Sequence, residues 1–231
     1  MKFDSLSVVL PAYNEEKTLG STLRSTLSFL NNTFKNYEII VVNDGSTDKT
    51  EAVVKKLQSE NNAIKIINHY RNLGYGAALK TGLNNASNEY IFFMDSDGQF
   101  KIQDIKLLTP YLNNNTIVTG YRERRADSII RTINAFLYNQ YMRHIFGLNV
   151  KDIDCAFKIF PKKAYENAKP IKSDGALFSA ELMLKFLKNG YEIKQTRVNH
   201  YPREAGNQSG ANVYVILKMF KESWKFRREL T

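Results

Sequence analysis

The stretch that decides the fold is Tyr90-Ile91-Phe92-Phe93-Met94-Asp95-Ser96-Asp97-Gly98-Gln99. Its five apolar or aromatic residues are typical of a buried strand, and the run ends at two carboxylates, Asp95 and Asp97. Ligands of open α/β sheets bind outside the carboxyl ends of the strands, so we expect both aspartates to lie at a ligand. On an extended chain the residue between them points the other way, and both carboxylates can then share one face. Such oxygen ligands suit Mg²⁺ or Mn²⁺, which would hold a diphosphate; the alternative is an Asx-type turn that closes the strand.

Strands and helices alternate on both sides of this stretch. Apolar runs predict strands, and apolar residues at helical spacing predict amphipathic helices. The predicted strands span residues 6–10, 37–42, 64–67, 90–94, 116–120, 155–160 and 193–200. The predicted helices span residues 15–30, 47–57, 73–86, 102–112, 129–146, 176–189 and 213–230. This alternation is typical of βαβ units, so we predict an α/β fold with a mostly parallel sheet flanked by helices.

The composition is that of a soluble globular domain. The 231 residues are 43% hydrophobic and 24% charged, which is ordinary for such a domain. The single cysteine, Cys155, excludes an intramolecular disulfide framework and fits a reducing compartment. Residues 1–4 lead directly into strand-like sequence, so we expect no signal peptide. Since no apolar run approaches about 18 residues, we also expect no membrane-spanning helix.

The charges are distributed unevenly along the chain. Residues 1–100 contain 10 Lys and Arg against 11 Asp and Glu, whereas residues 101–231 contain 23 against 12. The basic excess of the second half predicts an anionic partner, namely phosphates, nucleic acid or an anionic membrane surface. A solvated basic surface is the alternative. We expect no nucleic acid, because the basic residues are not interleaved with a recognition motif for RNA or DNA.

Polar segments follow three predicted strands of the first half, at residues 11–15, 43–46 and 95–99. Adjacent parallel strands would bring all three segments to one edge of the sheet. There Asp44 is placed to accept hydrogen bonds from a base or ribose, and Tyr13 could flank a base. No P-loop is present, and the glycines near residue 75 lack the dinucleotide-binding spacing. We therefore predict a nucleotide that is held through a metal.

Four segments resemble, in order and in spacing, those of the family 2 glycosyltransferases with the GT-A fold. They are residues 8–15, 41–48, 72–78 and 94–99. The second half resembles the polyprenyl-phosphate glycosyltransferases, a group that includes dolichol-phosphate mannose synthase. The segments that carry this second resemblance are residues 120–122, Arg131, residues 152–157, residues 201–206 and Ser209.

The resemblance implies roles for individual residues. The implied nucleotide-binding residues are Pro11, Ala12, Tyr13, Asn14, Glu15, Asp44 and Asp95. The implied ligands of Mg²⁺ or Mn²⁺ are Asp95, Asp97 and Gln99. The implied catalytic residues, which include those that bind the diphosphate and the acceptor phosphate, are Asp97, Arg122, Arg131 and Arg203. The chain departs from the family at Asn43, where a second Asp is frequent, and at Ala156, where Gly is usual.

The implied reaction is a metal-dependent, inverting transfer of a sugar from GDP-mannose or a UDP-hexose to a polyprenyl or dolichyl phosphate. A phosphate acceptor is already anionic, so it needs positive charge and a metal on the leaving diphosphate rather than a general base. Arginine suits this task because its planar fork binds phosphate through two hydrogen bonds.

Two alternatives remain at this point. In the first, the same fold transfers the sugar to a glycan hydroxyl, and Glu181 or Asp154 is the candidate base. In the second, the chain is a non-catalytic subunit that binds a nucleotide-sugar within a membrane complex.

We expect a GT-A domain over residues 1–210, with a nucleotide-binding half (1–100) and an acceptor half (101–210). Residues 211–231 are expected to form an amphipathic basic helix, which lies at a membrane interface or packs on the domain. The expected location is the cytoplasmic face of a membrane, through peripheral contact or a membrane partner subunit.

Overall fold

The computed structural model describes residues 4–123 and 129–203, together with Ser223 and Arg227, and for residues 129–131 it describes the backbone alone. The predicted helix 213–230 lies outside the described residues, apart from Ser223 and Arg227, which are helical. The division of the chain at residues 100 and 210 stays a prediction.

Strands and α-helices alternate along most of the chain. The strands are β1 (Ser5–Ala12), β2 (Asn36–Asn43), β3 (Ile64–Asn68), β4 (Tyr90–Met94), β5 (Thr116–Arg122), β6 (Phe157–Pro161) and β7 (Glu192–Val198). The α-helices are α1 (Leu19–Asn31), α2 (Thr50–Glu60), α3 (Tyr75–Asn84), α4 (Ile129–Phe146), α5 (Lys162–Ala168) and α6 (Phe178–Lys188). Two 3₁₀ segments, Ile102–Leu107 and Thr109–Tyr111, connect β4 to β5.

Within the described residues, the strands form one sheet in the order β3-β2-β1-β4-β6-β5-β7. Only β6 runs against its neighbours β4 and β5, while the other neighbours pair in parallel. The predicted α/β fold with a mostly parallel sheet is therefore confirmed. The parallel strands end at one edge of the sheet, and the antiparallel strand β6 begins there, because Phe157 pairs with Met94.

The burial of the central strand β4 explains why its sequence is an uninterrupted apolar run. All five residues of β4 are buried, and the rings of Phe92 and Phe157 meet edge to face with centroids 4.7 Å apart. Full burial of one such side chain contributes about 1.5–3 kcal/mol. A second apolar cluster lies between α4 and α6 and includes Tyr138, Met142 and Met183. Ile193 of β7 packs against this cluster, which brings α4 and α6 together beside the sheet.

The structure corrects three element predictions. Residues 102–112 form two 3₁₀ segments instead of one α-helix, since Pro110 cannot donate a backbone hydrogen bond within an α-helix. Helix α5 was not predicted, because its seven residues are too few to show a helical period. Helix α1 begins at Leu19 rather than at residue 15. In the part of the chain that is described, no helix has the length and apolarity needed to cross a membrane.

Candidate active site

The three polar segments of the first half meet at the carboxyl edge of the sheet, as the sequence predicted. The ends of β1 and β2 lie side by side, with Ala12 paired to Asn43, and the Asp44 amide donates to the Ala12 carbonyl at 2.8 Å. The Ser96 hydroxyl donates to the Pro11 carbonyl at 2.8 Å. These contacts join residues 11–15, 43–46 and 95–99 into one site.

Hydrogen bonds of Asn14 connect the turn after β1 to the loop after β2. Asn14 has a φ of 56°, a left-handed conformation that Asn tolerates better than most residues. Its side-chain oxygen accepts a hydrogen bond from the Thr47 amide at 2.8 Å, and its own amide donates to Ser46 Oγ at 2.9 Å. Asn14 thus stabilises the loop rather than the start of α1, and Tyr13 stays 43% exposed beside it.

Asp44 is buried at the end of β2, where its carboxylate organises the segment that leads into α3. Oδ1 accepts from the Leu73 amide at 3.0 Å, and Oδ2 accepts from the Gly74 amide at 2.9 Å. Oδ1 also lies 2.6 Å from His69 Nδ1. His69 is a residue that the sequence analysis did not select, since no spacing along the chain links it to Asp44.

Asp95 and Asp97 lie in the turn after β4, with Ser96 directed into the sheet edge between them. Asp95 accepts a hydrogen bond from Tyr75, and burial together with this carboxylate raises the pKa of the tyrosine hydroxyl. Asp97 Oδ1 accepts from the Gln99 amide at 3.0 Å. The Asx-type turn that was the alternative to a ligand site is therefore present. It orients the Asp97 carboxylate, and the role of Asp95 and Asp97 as ligands stays a prediction.

A segment from the far end of the chain completes this turn. The Gln99 side chain donates to the Tyr201 carbonyl at 3.2 Å, and the Tyr201 amide donates to the Gln99 carbonyl at 3.0 Å. Two residues later, the Arg203 guanidinium is hydrogen-bonded to Glu15 and lies 3.8 Å from Asp97 Oδ2. Arg203, Glu15 and Asp97 thus form one largely buried charged cluster, although they are far apart along the chain.

The position of Glu15 in this cluster shifts its pKa. Burial raises the pKa of Glu15, and the nearby Asp97 carboxylate raises it further. The hydrogen bond from Thr18 and the charge of Arg203 act in the opposite direction. The net direction is upward. A cation bound here, or the retained contact with Arg203, would stabilise the charged form.

Arg122 lies at the same edge, at the end of β5, but its guanidinium is bound to a protein carboxylate. Nε donates to Asp152 Oδ2 at 2.7 Å, and Nη2 donates to Asp152 Oδ1 at 2.9 Å. Burial lowers the pKa of Arg122, but the hydrogen bonds and charge of Asp152 outweigh it and raise the pKa. Its contact with a diphosphate stays a prediction. The side chain of Arg131, in the first turn of α4, lies outside the described residues.

The two candidate bases differ in their surroundings. Glu181 is fully buried, and its oxygens accept from the Lys172 amide at 2.8 Å and the Ser173 amide at 2.7 Å. Burial would raise its pKa, but these bonds and the Lys185 ammonium lower it. Glu181 therefore holds the 172–173 loop. Asp154 is exposed.

Lys158 is a second residue that the sequence analysis missed. It is fully buried on β6, and its ammonium donates to the carbonyls of Ile153, at 3.0 Å, and Cys155. Burial lowers its pKa. These bonds fix the loop that carries Asp152. A single lysine in a strand normally indicates a solvent-facing position, so the sequence contained no signal for this role.

The donor atoms at the edge fit a hard divalent cation if a ligand completes the coordination. Across the described residues, no group of three His, Cys, Asp or Glu side chains could hold a metal alone. Asp95, Asp97 and Gln99 carry side-chain oxygens on one turn, and their role as metal ligands stays a prediction. Mg²⁺ sites of this kind use one or two carboxylates and take further oxygens from substrate phosphates.

Comparisons with known proteins identify the family of this chain. The family model described as Glycosyl transferase family 2 matches residues 7–168. A dolichyl-phosphate beta-glucosyltransferase of Trichomonas vaginalis is 33% identical over 183 residues, which cover 69% of this chain and 54% of the relative. A dodecaprenyl-phosphate galacturonate synthase of Rhizobium johnstonii is 30% identical over 220 residues, which cover 94% of this chain and 63% of the relative. The chain thus spans 54% of the length of the first relative and 63% of the second.

Among solved structures, glucosyl-3-phosphoglycerate synthase from Mycobacterium tuberculosis, in complex with Mn²⁺ and UDP-glucose, superposes with a TM-score of 0.73. The match covers 98% of this chain and 79% of that chain at 20% identity, a likeness that concerns the fold. It confirms the predicted GT-A architecture. The motifs, the fold and the family match lead to one conclusion: this chain belongs to glycosyl transferase family 2.

Proposed function

We propose that this protein transfers a hexose from a uridine-diphosphate sugar to a polyprenyl phosphate, with inversion at the sugar C1. The proposal draws on the names of the relatives, which act on dolichyl and dodecaprenyl phosphates. It also draws on the UDP-glucose complex of a structural neighbour. Glucose is the sugar to test first, and GDP-mannose is the competing donor.

The observation that carries the proposal is the position of Arg203 beside Asp97 and Glu15. Asp97 belongs to the turn whose oxygens would hold the metal of the donor diphosphate, and Arg203 belongs to the basic half of the chain. A cation at this point offsets the repulsion between a donor diphosphate and an acceptor phosphate. A bound diphosphate would compete with Glu15 and Asp97 for Arg203, and a metal held by Asp97 would compete with Arg203 for that carboxylate. The guanidinium would then be available to phosphate oxygens.

The proposed chemistry is a single displacement. An oxygen of the acceptor phosphate forms a bond to the sugar C1 while the bond from C1 to the diphosphate oxygen breaks. The UDP leaves with the electron pair, and no proton has to be removed because the acceptor is already an anion. The involvement of Glu181 in backbone hydrogen bonds agrees with a reaction that needs no carboxylate base.

A divalent cation, Mn²⁺ or Mg²⁺, belongs to the proposal, with Asp95, Asp97 and Gln99 as the residues that would hold it. When bound, it neutralises charge on the leaving diphosphate. The protein side chains orient that diphosphate at the carboxyl edge, and the contact between Gln99 and Tyr201 keeps the turn in place.

The acceptor implies contact with a membrane, and we propose that α4 supplies it at the cytoplasmic face. Ile133, Phe136 and Leu137 lie on one side of α4 and are each more than half exposed, whereas Tyr138 and Met142 face the core. An exposed apolar stripe of this kind is typical of a helix that lies in a lipid interface. The basic excess of residues 101–231 favours a surface of anionic lipid.

The proposal is tested by incubating the protein with UDP-[¹⁴C]glucose, Mn²⁺ and a detergent-dispersed polyprenyl phosphate. We expect label to move into the organic phase, and the transfer to stop when EDTA removes the metal. Donor binding without any transfer would instead favour a non-catalytic nucleotide-sugar subunit. Transfer from GDP-mannose alone would overturn the proposed donor.

A further inference from the structure

The imidazole of His69 is buried between Asp44 and α3. Its Nδ1 lies 2.6 Å from Asp44 Oδ1, and its Nε2 lies 2.9 Å from the Thr81 hydroxyl. The side chain of His69 is only 9% exposed, and that of Asp44 is only 5% exposed. An ionised carboxylate can only accept hydrogen bonds, so Nδ1 carries the proton that His69 donates. In the neutral ring, Nε2 then accepts from the Thr81 hydroxyl.

These contacts leave Asp44 with little capacity for a ligand. A carboxylate offers about four lone-pair directions, two on each oxygen. Oδ1 accepts from His69 and from the Leu73 amide, and Oδ2 accepts from the Gly74 amide. Among the described residues, these three donors occupy three of the four lone-pair directions. One lone-pair direction remains, and it is on Oδ2.

We infer that His69 is a specificity-determining residue that selects the base of the donor nucleotide through Asp44. This inference rests on the proposed function, in which Asp44 faces the base. Uracil presents a single N–H donor between two carbonyl groups, and one remaining lone pair can match it. The corresponding edge of guanine presents two adjacent donors, which need both oxygens of a carboxylate. With Oδ1 occupied, one guanine donor would lose its hydrogen bond with water without gaining another.

His69 is the adjustable part of this arrangement, since the other two donors are backbone amides. The loop around it is held independently of the imidazole. The His69 backbone amide donates to the Asn43 carbonyl at 2.9 Å. The loop also packs on Gly45, where an added Cβ would lie 2.2 Å from the Arg71 carbonyl carbon. Replacing the imidazole should therefore change the hydrogen bonding of Asp44 without changing the position of the loop.

The test is the equilibrium affinity for UDP and for GDP, measured by titration calorimetry with Mn²⁺ on the whole chain. The wild-type protein should bind UDP more tightly than GDP. His69→Leu frees Oδ1 and should lower the ratio of UDP affinity to GDP affinity about tenfold, the effect of one hydrogen bond to a charged group. His69→Asn places a donor amide close to the position of Nδ1 and should restore the ratio.

His69→Phe, which keeps an aromatic ring but has no donor at the position of Nδ1, gives a second variant in case His69→Leu does not fold, and it should lower the ratio in the same direction. An unchanged ratio in His69→Leu, or in His69→Phe where only that variant folds, overturns the inference. So does an equal loss of both nucleotides, which would mean that His69 has a structural role. A wild-type preference for GDP overturns the inference but leaves sugar transfer possible. Binding of neither nucleotide by the wild type would instead reject the proposed function itself.

Discussion

The guanidinium of Arg203 lies 3.8 Å from the Asp97 carboxylate and is hydrogen-bonded to Glu15. This relationship joins the acidic turns of the first half to the basic second half. The three charged groups share a largely buried position, so each depends on the others for its charge balance. A phosphate group that enters the site would meet a cation already held there by two carboxylates.

Replacing Arg203 by Gln should reduce kcat/KM for transfer by about a hundredfold or more, the scale seen when one charge-stabilising donor is lost. The reason is that the cluster then contains two carboxylates and no cation. The measurement is the initial rate of label transfer at saturating metal.

Arg197→Gln is the matched control for this variant. Arg197 also pairs with a carboxylate, Glu123, but at an exposed position on β7. An exposed pair contributes little, so we expect near wild-type rates. Equal losses in both variants would show that general positive charge, rather than the position of Arg203, supports the reaction.

The pair formed by Arg122 and Asp152 should act as a structural clamp. Both side chains are buried, so Asp152→Asn leaves the Arg122 charge without its partner and should cost about 3–5 kcal/mol of unfolding free energy. Urea denaturation at neutral pH measures the loss. Replacing both residues together, as Arg122→Met with Asp152→Leu, should recover much of it. If the double variant is as unstable as the single variant, the pair is not an independent clamp.

Glu38 should make the fold sensitive to acid. Burial alone would raise its pKa, but hydrogen bonds from Lys65, Ser7 and Ser87 lower it to about 2. A carboxyl group whose pKa is lower in the folded state stabilises the fold above its unfolded pKa, and this stabilisation disappears as the pH falls toward 2. The difference between this pKa and the ordinary pKa of a glutamate corresponds to about 3 kcal/mol of unfolding free energy at neutral pH.

Glu38→Gln should therefore be less stable than the wild type by about 2–3 kcal/mol at pH 7. The two proteins should converge as the pH approaches 2. Thermal or urea unfolding at several pH values provides the measurement. A difference that stays constant across this range would mean that packing, and not ionisation, accounts for the effect.

The apolar stripe on α4 should bind lipid. Phe136→Ser combined with Leu137→Ser should weaken cosedimentation with vesicles that contain phosphatidylglycerol, because the variant removes two large exposed side chains. Leu187→Ser is the control, since Leu187 is a 42% exposed leucine on α6. If both variants bind vesicles as the wild type does, α4 is not the contact surface.

The parts of the fold that follow from local pattern were predictable from the sequence. The apolar run of β4 and the polar residues after β1, β2 and β4 located one edge of the sheet correctly. The prediction failed for residues 102–112, where apolar spacing suggested an α-helix but Pro110 limits the segment to 3₁₀ turns.

The side-chain partners within the site could not be predicted in the same way. Asp44 meets His69, Arg122 meets Asp152, and Lys158 donates to carbonyl groups of its own loop. Each contact depends on tertiary packing, and the contacts of Arg122 and Lys158 also depend on the antiparallel insertion of β6, which no local spacing encodes. The role of Glu181 could not be predicted either. In the sequence, a carboxylate between apolar residues is compatible both with a catalytic base and with a buried hydrogen-bond acceptor.

The most direct test compares polyprenyl phosphate with the unphosphorylated polyprenol as acceptors for UDP-glucose, using the wild type, Asp97→Ala and Glu89→Ala. Glu89 is an exposed carboxylate just before β4, at the opposite edge of the sheet from Asp97. We predict a β-linked glucosyl phosphate with the phosphate acceptor alone, wild-type rates for Glu89→Ala, and no product for a correctly folded Asp97→Ala. Equal transfer to the polyprenol, or full activity of Asp97→Ala, would contradict the account.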